Sequence, residues 1–162
     1  MAKALDQRSL YDQDYVAWLD EQVQHLRAGR FAALDLEHVV EELESLMSSE
    51  RRELENRLEV LIQHLLKWDH QPDQRSNRWR ATVQEQRTRI RRLLRFSPSL
   101  KRELEPMTED VYPDAVEQTV IETGVTESIF PRTLPYTIAQ IFERELAADE
   151  LPAPRSIRKR PR

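Results

Sequence analysis

Three polar residues interrupt the apolar stripe of a long predicted helix. Glu50, Arg57 and His64 follow Leu43 at intervals of seven, so they lie near the centre or the edge of the face that should be buried. An ionised carboxylate or guanidinium in an apolar interior costs several kcal/mol unless it is paired and hydrogen-bonded. These side chains therefore require polar partners within the fold.

Two polar residues on other predicted helices are candidate partners. Gln86 shares a stripe with apolar residues of an arginine-rich helix, and Glu122 lies on the inward side of a later helix. One interpretation is a polar pocket, in which the carboxylates and His64 act as acid–base groups or metal ligands and Arg57 holds an anion. The other, which we favour, is a buried ionic network that fixes helix register.

Metal and cofactor chemistry has little support in the sequence. The chain has no cysteine and only two glycines, which excludes thiolate sites and leaves no phosphate-binding glycine loop. The Glu-x-x-His pairs of di-metal bundles are absent. The nearest approach is Asp35 with His38, and Asp35 is better explained as a helix cap. We predict no metal site, no cofactor and no catalytic residue.

A basic stretch raises the alternative of nucleic-acid binding. From Arg75 to Arg95 there are eight arginines and one acid, whereas Asp35 to Glu59 holds nine acids and three arginines. Arginines release counterions from phosphates, and an aromatic ring can stack on an unpaired base. The alternative we favour is that the two segments neutralise each other within the fold. The nucleic-acid candidates are Arg78, Trp79, Arg80, Arg87 and Arg91.

The helices that would position these residues follow from apolar periodicity and caps. A first helix is predicted over residues 12–28 with Gly29 as its C-terminal cap, a long helix from Asp35 to just before Pro72, and an arginine-rich helix over 76–96. Shorter helices are predicted at 97–105, at 113–124 and at 137–147. The fold class is all-α, a bundle of five to seven helices built on one long antiparallel helical hairpin.

The predicted domain organisation is one helical domain over residues 1–148, followed by a disordered basic tail over 149–162. The tail is rich in proline and charge and has no apolar periodicity. The N-terminus lacks the apolar run of a signal peptide, and no later stretch has the length of a membrane span. We therefore expect a cytoplasmic protein that does not bind membranes.

A series of segments resembles a known bacterial family. In order these are YDQDYVAWLDEQ, LRAGRF, LDLEHVVEELESL, SERRELENRLEVLIQHLLKW, QPDQRSNRW, SPSL, ETG, FP and PYTIAQIFE, and HLLKW followed by QP is the most specific. Together they resemble the family known as domain of unknown function 29, from Tyr11 to about Leu146. The resemblance implies an all-helical fold and a bacterial source, with no established activity, cofactor or catalytic residue.

The function expected from the sequence is non-catalytic. We predict a small regulatory or adaptor protein, in one form antitoxin-like, whose partner is another protein or a second copy of the chain. A nucleic-acid-binding protein that uses the arginine-rich helix and the tail is the first alternative. An enzyme with a pocket between its helices is the second.

Overall fold

A computed structural model describes residues 10–152. This part of the chain contains seven α-helices and no strand, which confirms the predicted all-α class. The helices are α1 (Leu10–Gln13), α2 (Tyr15–Arg27), α3 (Leu36–His70), α4 (Asn77–Phe96), α5 (Leu104–Asp110), α6 (Tyr112–Thr123) and α7 (Ile138–Glu143). Short 3-10 turns fill most of the connections.

The chain divides into two compact units, Met1–Glu50 and Arg51–Arg162. The boundary falls within α3, a helix of 35 residues. At 1.5 Å per residue α3 is about 52 Å long, whereas the 20 residues of α4 span about 30 Å. The partner helix of the predicted hairpin is therefore too short to cover the whole of α3.

The first unit is a hairpin of α2 and the N-terminal half of α3. The helix predicted over 12–28 is interrupted at Asp14, whose side chain accepts a hydrogen bond from the Ala17 amide at 3.0 Å and caps α2. Gly29 follows the end of α2 with a φ of 66°, as the capping prediction requires. Of the described residues in this unit, only Trp18 and Gln22 are buried.

The second unit is built around the C-terminal half of α3. Leu54, Leu58, Leu61 and Leu65 form the core stripe of this helix, and each is at most 1% exposed. The same core includes side chains of α4, α5, α6 and α7. Arg57 contacts Gln86, and Lys67, ten residues later in α3, contacts Trp79, seven residues earlier in α4. The two helices are therefore antiparallel, as predicted.

The helix predicted over 97–105 differs from the observed one. Residues Pro98–Glu103 form a 3-10 turn, and α5 begins at Leu104 and continues through Pro106. Pro106 is the third residue of α5, where the backbone N–H would have no partner within the helix, so proline does not break it there. The predicted helix over 113–124 is confirmed as α6, and Gly124 ends it with a φ of 71°.

The C-terminal boundaries also differ from prediction. The last α-helix, α7, is shorter than the predicted 137–147, and a reciprocal pair of hydrogen bonds between Thr137 and Gln140 caps its start. The tail was predicted to be disordered from Asp149, but Ala148–Glu150 form a 3-10 turn. The Glu150 carboxylate accepts a hydrogen bond from the buried Trp68 indole at 2.8 Å. The rest of the predicted tail, 153–162, lies outside the described residues.

Candidate functional site

The five residues predicted to form a polar network do not come together. Glu50 is exposed at the end of the first unit, so the prediction that it lies on a buried face is wrong. Its apolar neighbours Leu46 and Met47 are themselves 63% and 56% exposed, so this turn of α3 has no buried face.

Arg57 and Gln86 do meet, in the second unit. Arg57 Nη1 donates to Gln86 Oε1 at 3.1 Å, and its Nε donates to Glu53 Oε1 at 2.7 Å. The Arg57 side chain is 19% exposed and lies at the edge of the α3–α4 contact. The arrangement links two helices and satisfies the cation, as the network interpretation requires.

His64 and Glu122 form a second cluster, joined by a residue that the sequence analysis missed. Lys67 Nζ donates to Glu122 Oε2 at 2.8 Å and lies 4.8 Å from the centre of the Trp79 ring. The hydrogen bond from Lys67 lowers the pKa of Glu122. His64 Nδ1 lies 2.9 Å from the Val60 carbonyl, and burial lowers the pKa of His64. Lys67 lies on the side of α3 opposite the leucine stripe, where sequence periodicity predicts solvent.

Three of the five nucleic-acid candidates serve the fold itself. Arg87 is 5% exposed, and its guanidinium donates to the backbone carbonyls of Ile141 at 2.7 Å and Arg144 at 2.8 Å. Arg80 donates to the Leu146 carbonyl, and Arg91 to the Phe142 carbonyl, each at 2.7 Å. A positive charge near a helix C-terminus is attracted by the partial negative charge of the free carbonyls there, and this attraction stabilises the helix end. These arginines therefore cap α7 and the segment that follows it.

The other two candidates have different environments. Trp79 is half-buried against the core of the second unit and its ring lies under Lys67 Nζ, so one face of the indole is already occupied. Arg78 is exposed. The predicted neutralisation by acids of α3 does not hold for Arg80, Arg87 and Arg91. Their guanidiniums bind backbone carbonyls rather than carboxylates.

A groove of about 670 Å³ lies beside α5, α6 and the start of α7 in the second unit. Glu105, Glu109 and Arg132 are among its polar lining residues. Tyr136 also lines it, and burial raises the pKa of this tyrosine, but its hydroxyl donates to Asp69 Oδ2 at 2.8 Å. Asp69 also binds Arg144. The tyrosine hydroxyl is therefore committed to a structural contact.

Aromatic and carboxylate side chains hold the hairpin of the first unit together. Glu42 accepts hydrogen bonds from the hydroxyls of Tyr11 at 2.6 Å and Tyr15 at 2.7 Å, and the bond to Glu42 raises the pKa of Tyr11 to about 12. Asp35 binds the Trp18 indole at 3.1 Å and His38 Nδ1 at 2.7 Å. The hydrogen bond to Asp35 raises the pKa of His38. These contacts lie on one side of α3 and join it to α1 and α2.

The first unit leaves a different side of α3 uncovered. Five large apolar side chains there are 44% to 64% exposed, and we call this surface the α3 apolar face: Leu36, Val40, Leu43, Leu46 and Met47. Leu36, Val40, Leu43 and Met47 are in phase with the fully buried Leu54 and Leu58 of the second unit. One helical stripe is thus exposed along its first half and buried along its second.

The exposed apolar residues of α2 adjoin this surface. Leu19, Val23 and Leu26 are 37% to 47% exposed. They lie beside the row of α2 residues that contacts α3, which consists of Tyr15, Trp18 and Gln22. Because α2 and α3 are antiparallel and both are right-handed helices, this side of α2 and the α3 apolar face point to the same side of the hairpin. The two helices together present one apolar surface.

Residues 10–152 contain neither an arrangement of metal ligands nor a membrane-spanning helix. No group of three or more histidines and carboxylates there is arranged to hold a metal ion. Within residues 10–152, no helix combines the length and the apolar character needed to cross a bilayer.

Comparison with known proteins identifies a family. The family model described as Domain of unknown function DUF29 matches residues 10–147, which include all seven α-helices of the described region. The chain belongs to this family, as the sequence resemblance indicated. No curated protein and no solved structure matches the chain.

Proposed function

We propose that this member of the DUF29 family is a non-catalytic adaptor or regulatory protein of the cytoplasm, and that it binds another protein through its first unit. The observation that carries the proposal is the α3 apolar face, where five large apolar side chains lie exposed along one helix. Monomeric proteins seldom expose contiguous apolar patches of this kind unless the patch is an interaction site.

The size of the effect supports binding. Burying one Leu, Val or Met side chain contributes about 1.5–3 kcal/mol, so covering five half-exposed ones is worth on the order of 5 kcal/mol. This is a large share of the ~8 kcal/mol that a micromolar complex requires. The adjoining residues of α2 add to it.

The placement of the polar residues also favours this choice. Arg80, Arg87 and Arg91 donate to backbone carbonyls, so they are not available as a set for phosphates. Arg57 is paired with Glu53 and Gln86, and Glu122 with Lys67. Groups satisfied in this way act as structural contacts more readily than as acid–base catalysts.

Capture of partners from the native host tests the proposal when it is combined with a matched pair of variants. Leu43→Glu places a charge on the α3 apolar face, whereas Ser45→Glu places the same charge on the opposite, exposed side of the same helix. Tagged full-length protein and both variants are compared by mass spectrometry and by assay of bound nucleic acid, after circular dichroism has established that all three are folded.

The expected result is a stoichiometric protein partner that is retained by Ser45→Glu and lost with Leu43→Glu. A partner that remains bound to Leu43→Glu would place the contact surface elsewhere. Nucleic acid as the only co-purifying macromolecule, in equal amounts with all three proteins, would contradict the proposal.

A further inference from the structure

The spacing of the α3 apolar face is that of a helix–helix seam. Leu36, Val40, Leu43 and Met47 are separated by four, three and four residues, the alternation that places knobs at the a and d positions of a heptad. The seam from Leu36 to Met47 is about 17 Å long at 1.5 Å per residue, roughly three turns. A partner helix fits such a seam through residues of the same spacing.

The second unit shows what covers the same stripe within this chain. Leu54, Leu58, Leu61 and Leu65 are buried by other helices of the second unit. Leu36, Val40, Leu43 and Met47 of the α3 apolar face are also apolar and lie in the same phase. In the first unit the adjoining apolar side of α2 provides a second wall, so a third helix laid along the hairpin would contact both.

The charge of the first unit limits what that helix can be. The first unit, residues 1–50, has eleven acids and four lysines and arginines, a net charge of −7. Glu37, Glu41 and Glu44 lie along the edge of the seam that faces away from α2, and all three are exposed. Among the described residues none of the three forms an ion pair, and Glu37 and Glu41 act on His38 through their charge.

A second copy of the chain would bring one unit of net charge −7 against another. Like charges across an interface oppose association, whereas opposite charges at the rim of a seam favour it and set partner choice. A helix that complements both the seam and its acidic edge has an apolar stripe with positively charged residues beside it.

We infer that the α3 apolar face binds an amphipathic helix of a partner protein, whose Leu, Ile or Val stripe is flanked by Lys or Arg that pair with Glu37, Glu41 and Glu44. This inference rests on the proposed function and specifies its partner. The apolar stripe supplies affinity, and the basic flank supplies selectivity.

Designed peptides of three heptads serve as probes for the full-length protein. The first peptide has Leu at a and d and Lys at the flanking positions, the second has Glu at those flanking positions, and the third contains the residues of the first in scrambled order. Fluorescence anisotropy at low and at physiological ionic strength measures the Kd of each. We expect the first peptide to bind at least about tenfold more tightly than either of the others.

Two sets of variants assign that binding to this surface. Leu43→Glu should abolish it, and Ser45→Glu should leave it within about twofold. The combined substitution of Gln for Glu37, Glu41 and Glu44 should raise the Kd about tenfold, since three surface ion pairs contribute roughly 0.5 kcal/mol each. The matched control places Gln at Glu105, Glu109 and Glu117, which are exposed in the second unit, and changes the net charge equally.

Other outcomes separate this inference from the proposed function. If the Lys and Glu peptides bind equally well and Leu43→Glu abolishes both, the partner helix need not be basic and the inference is wrong. The α3 apolar face would still be the interaction surface of the proposed function. Sedimentation equilibrium that shows a dimer, abolished by Leu43→Glu, makes a second copy the occupant and overturns the inference. No binding of the Lys peptide overturns it as well, and the proposed function then depends on the capture experiment alone. Binding of the scrambled peptide as tight as that of the first shows attraction by charge only and also overturns it.

Discussion

Arg87 donates a hydrogen bond from Nε to the backbone carbonyl of Ile141 at 2.7 Å, across 54 residues of sequence. The same guanidinium reaches the carbonyls of Arg144 at 2.8 Å and Gln140 at 3.4 Å. One side chain of α4 thus satisfies several backbone acceptors at the end of α7. The short helix is held from outside itself, because six residues are too few to be stable alone.

Arg87→Met should destabilise the protein strongly. Methionine keeps much of the length and apolar volume of the side chain but donates nothing, so the carbonyls of Ile141 and Arg144 lose their partner. We expect the free energy of unfolding to fall by about 2–4 kcal/mol, measured by urea titration followed by circular dichroism. Arg92→Met, at an exposed position of the same helix, should change it by less than about 0.5 kcal/mol. Equal effects of the two substitutions would contradict the capping role.

Glu150→Ala should also destabilise the second unit, although the sequence analysis assigned this residue to a disordered tail. The carboxylate accepts a hydrogen bond from the indole N–H of the fully buried Trp68. It also forms an ion pair with Arg75 at 3.2 Å. Leaving the indole N–H unpaired costs about 1–3 kcal/mol. Thermal and urea unfolding should show this loss, and Asp149→Ala, at the exposed neighbour, should not. If Glu150→Ala left the free energy of unfolding unchanged, Glu150 would not contribute to the fold, and the predicted domain boundary at Ala148 would stand.

Two histidines should titrate in opposite directions from the usual value of 6.5. Burial lowers the pKa of His64, and the hydrogen bond to Asp35 raises that of His38. The His64 contribution to stability is therefore complete above pH 6.5 and is lost as the pH falls below it, towards the lowered pKa of the folded state. The His38 contribution is complete below pH 6.5 and is lost as the pH rises through the raised folded pKa.

Imidazole chemical shifts measured by NMR against pH test both directions, with His38→Gln and His64→Gln used to assign the signals. A His64 signal that titrates near 6.5 would mean that this ring is solvated, and one above 6.5 would mean that a negative charge such as Glu122 outweighs burial. A His38 signal that titrates below 6.5 would mean that its hydrogen bond with Asp35 does not form in solution.

The helices were largely predictable, because their caps and periodicity are local properties of the sequence. Gly29 and Gly124 mark helix ends correctly, and the absence of proline and glycine between Asp35 and Pro72 predicts α3. Pro106 was misjudged, since proline is tolerated in the first turn of a helix and the start of α5 has no strong sequence signal.

The polar network was less predictable for a geometric reason. Seven residues are slightly short of two full turns, so positions spaced by seven drift about 20° per step around a straight helix. From Leu43 the drift carries Glu50, Arg57 and His64 progressively from the stripe towards its edge. The two residues in the second unit are accordingly half-buried rather than central.

The targets of the arginines could not be predicted from residue types. Arg80, Arg87 and Arg91 bind backbone carbonyls, and every residue carries a carbonyl, so no pattern in the sequence marks the acceptor. Charge counting predicted acidic side chains as their partners. The arginines instead bind carbonyls of α7 and of the segment that follows it, both remote in sequence.

The contact between Trp68 and Glu150 has a consequence for biosynthesis. Trp68 lies in the middle of the core, yet the acceptor for its indole N–H comes from almost the end of the described chain, 82 residues later. A nascent chain that has not yet left the ribosome beyond this point carries an unsatisfied donor inside its core. The second unit therefore completes its fold only after Glu150 has emerged from the ribosome, and chains terminated before this residue should be preferred substrates for quality-control proteases.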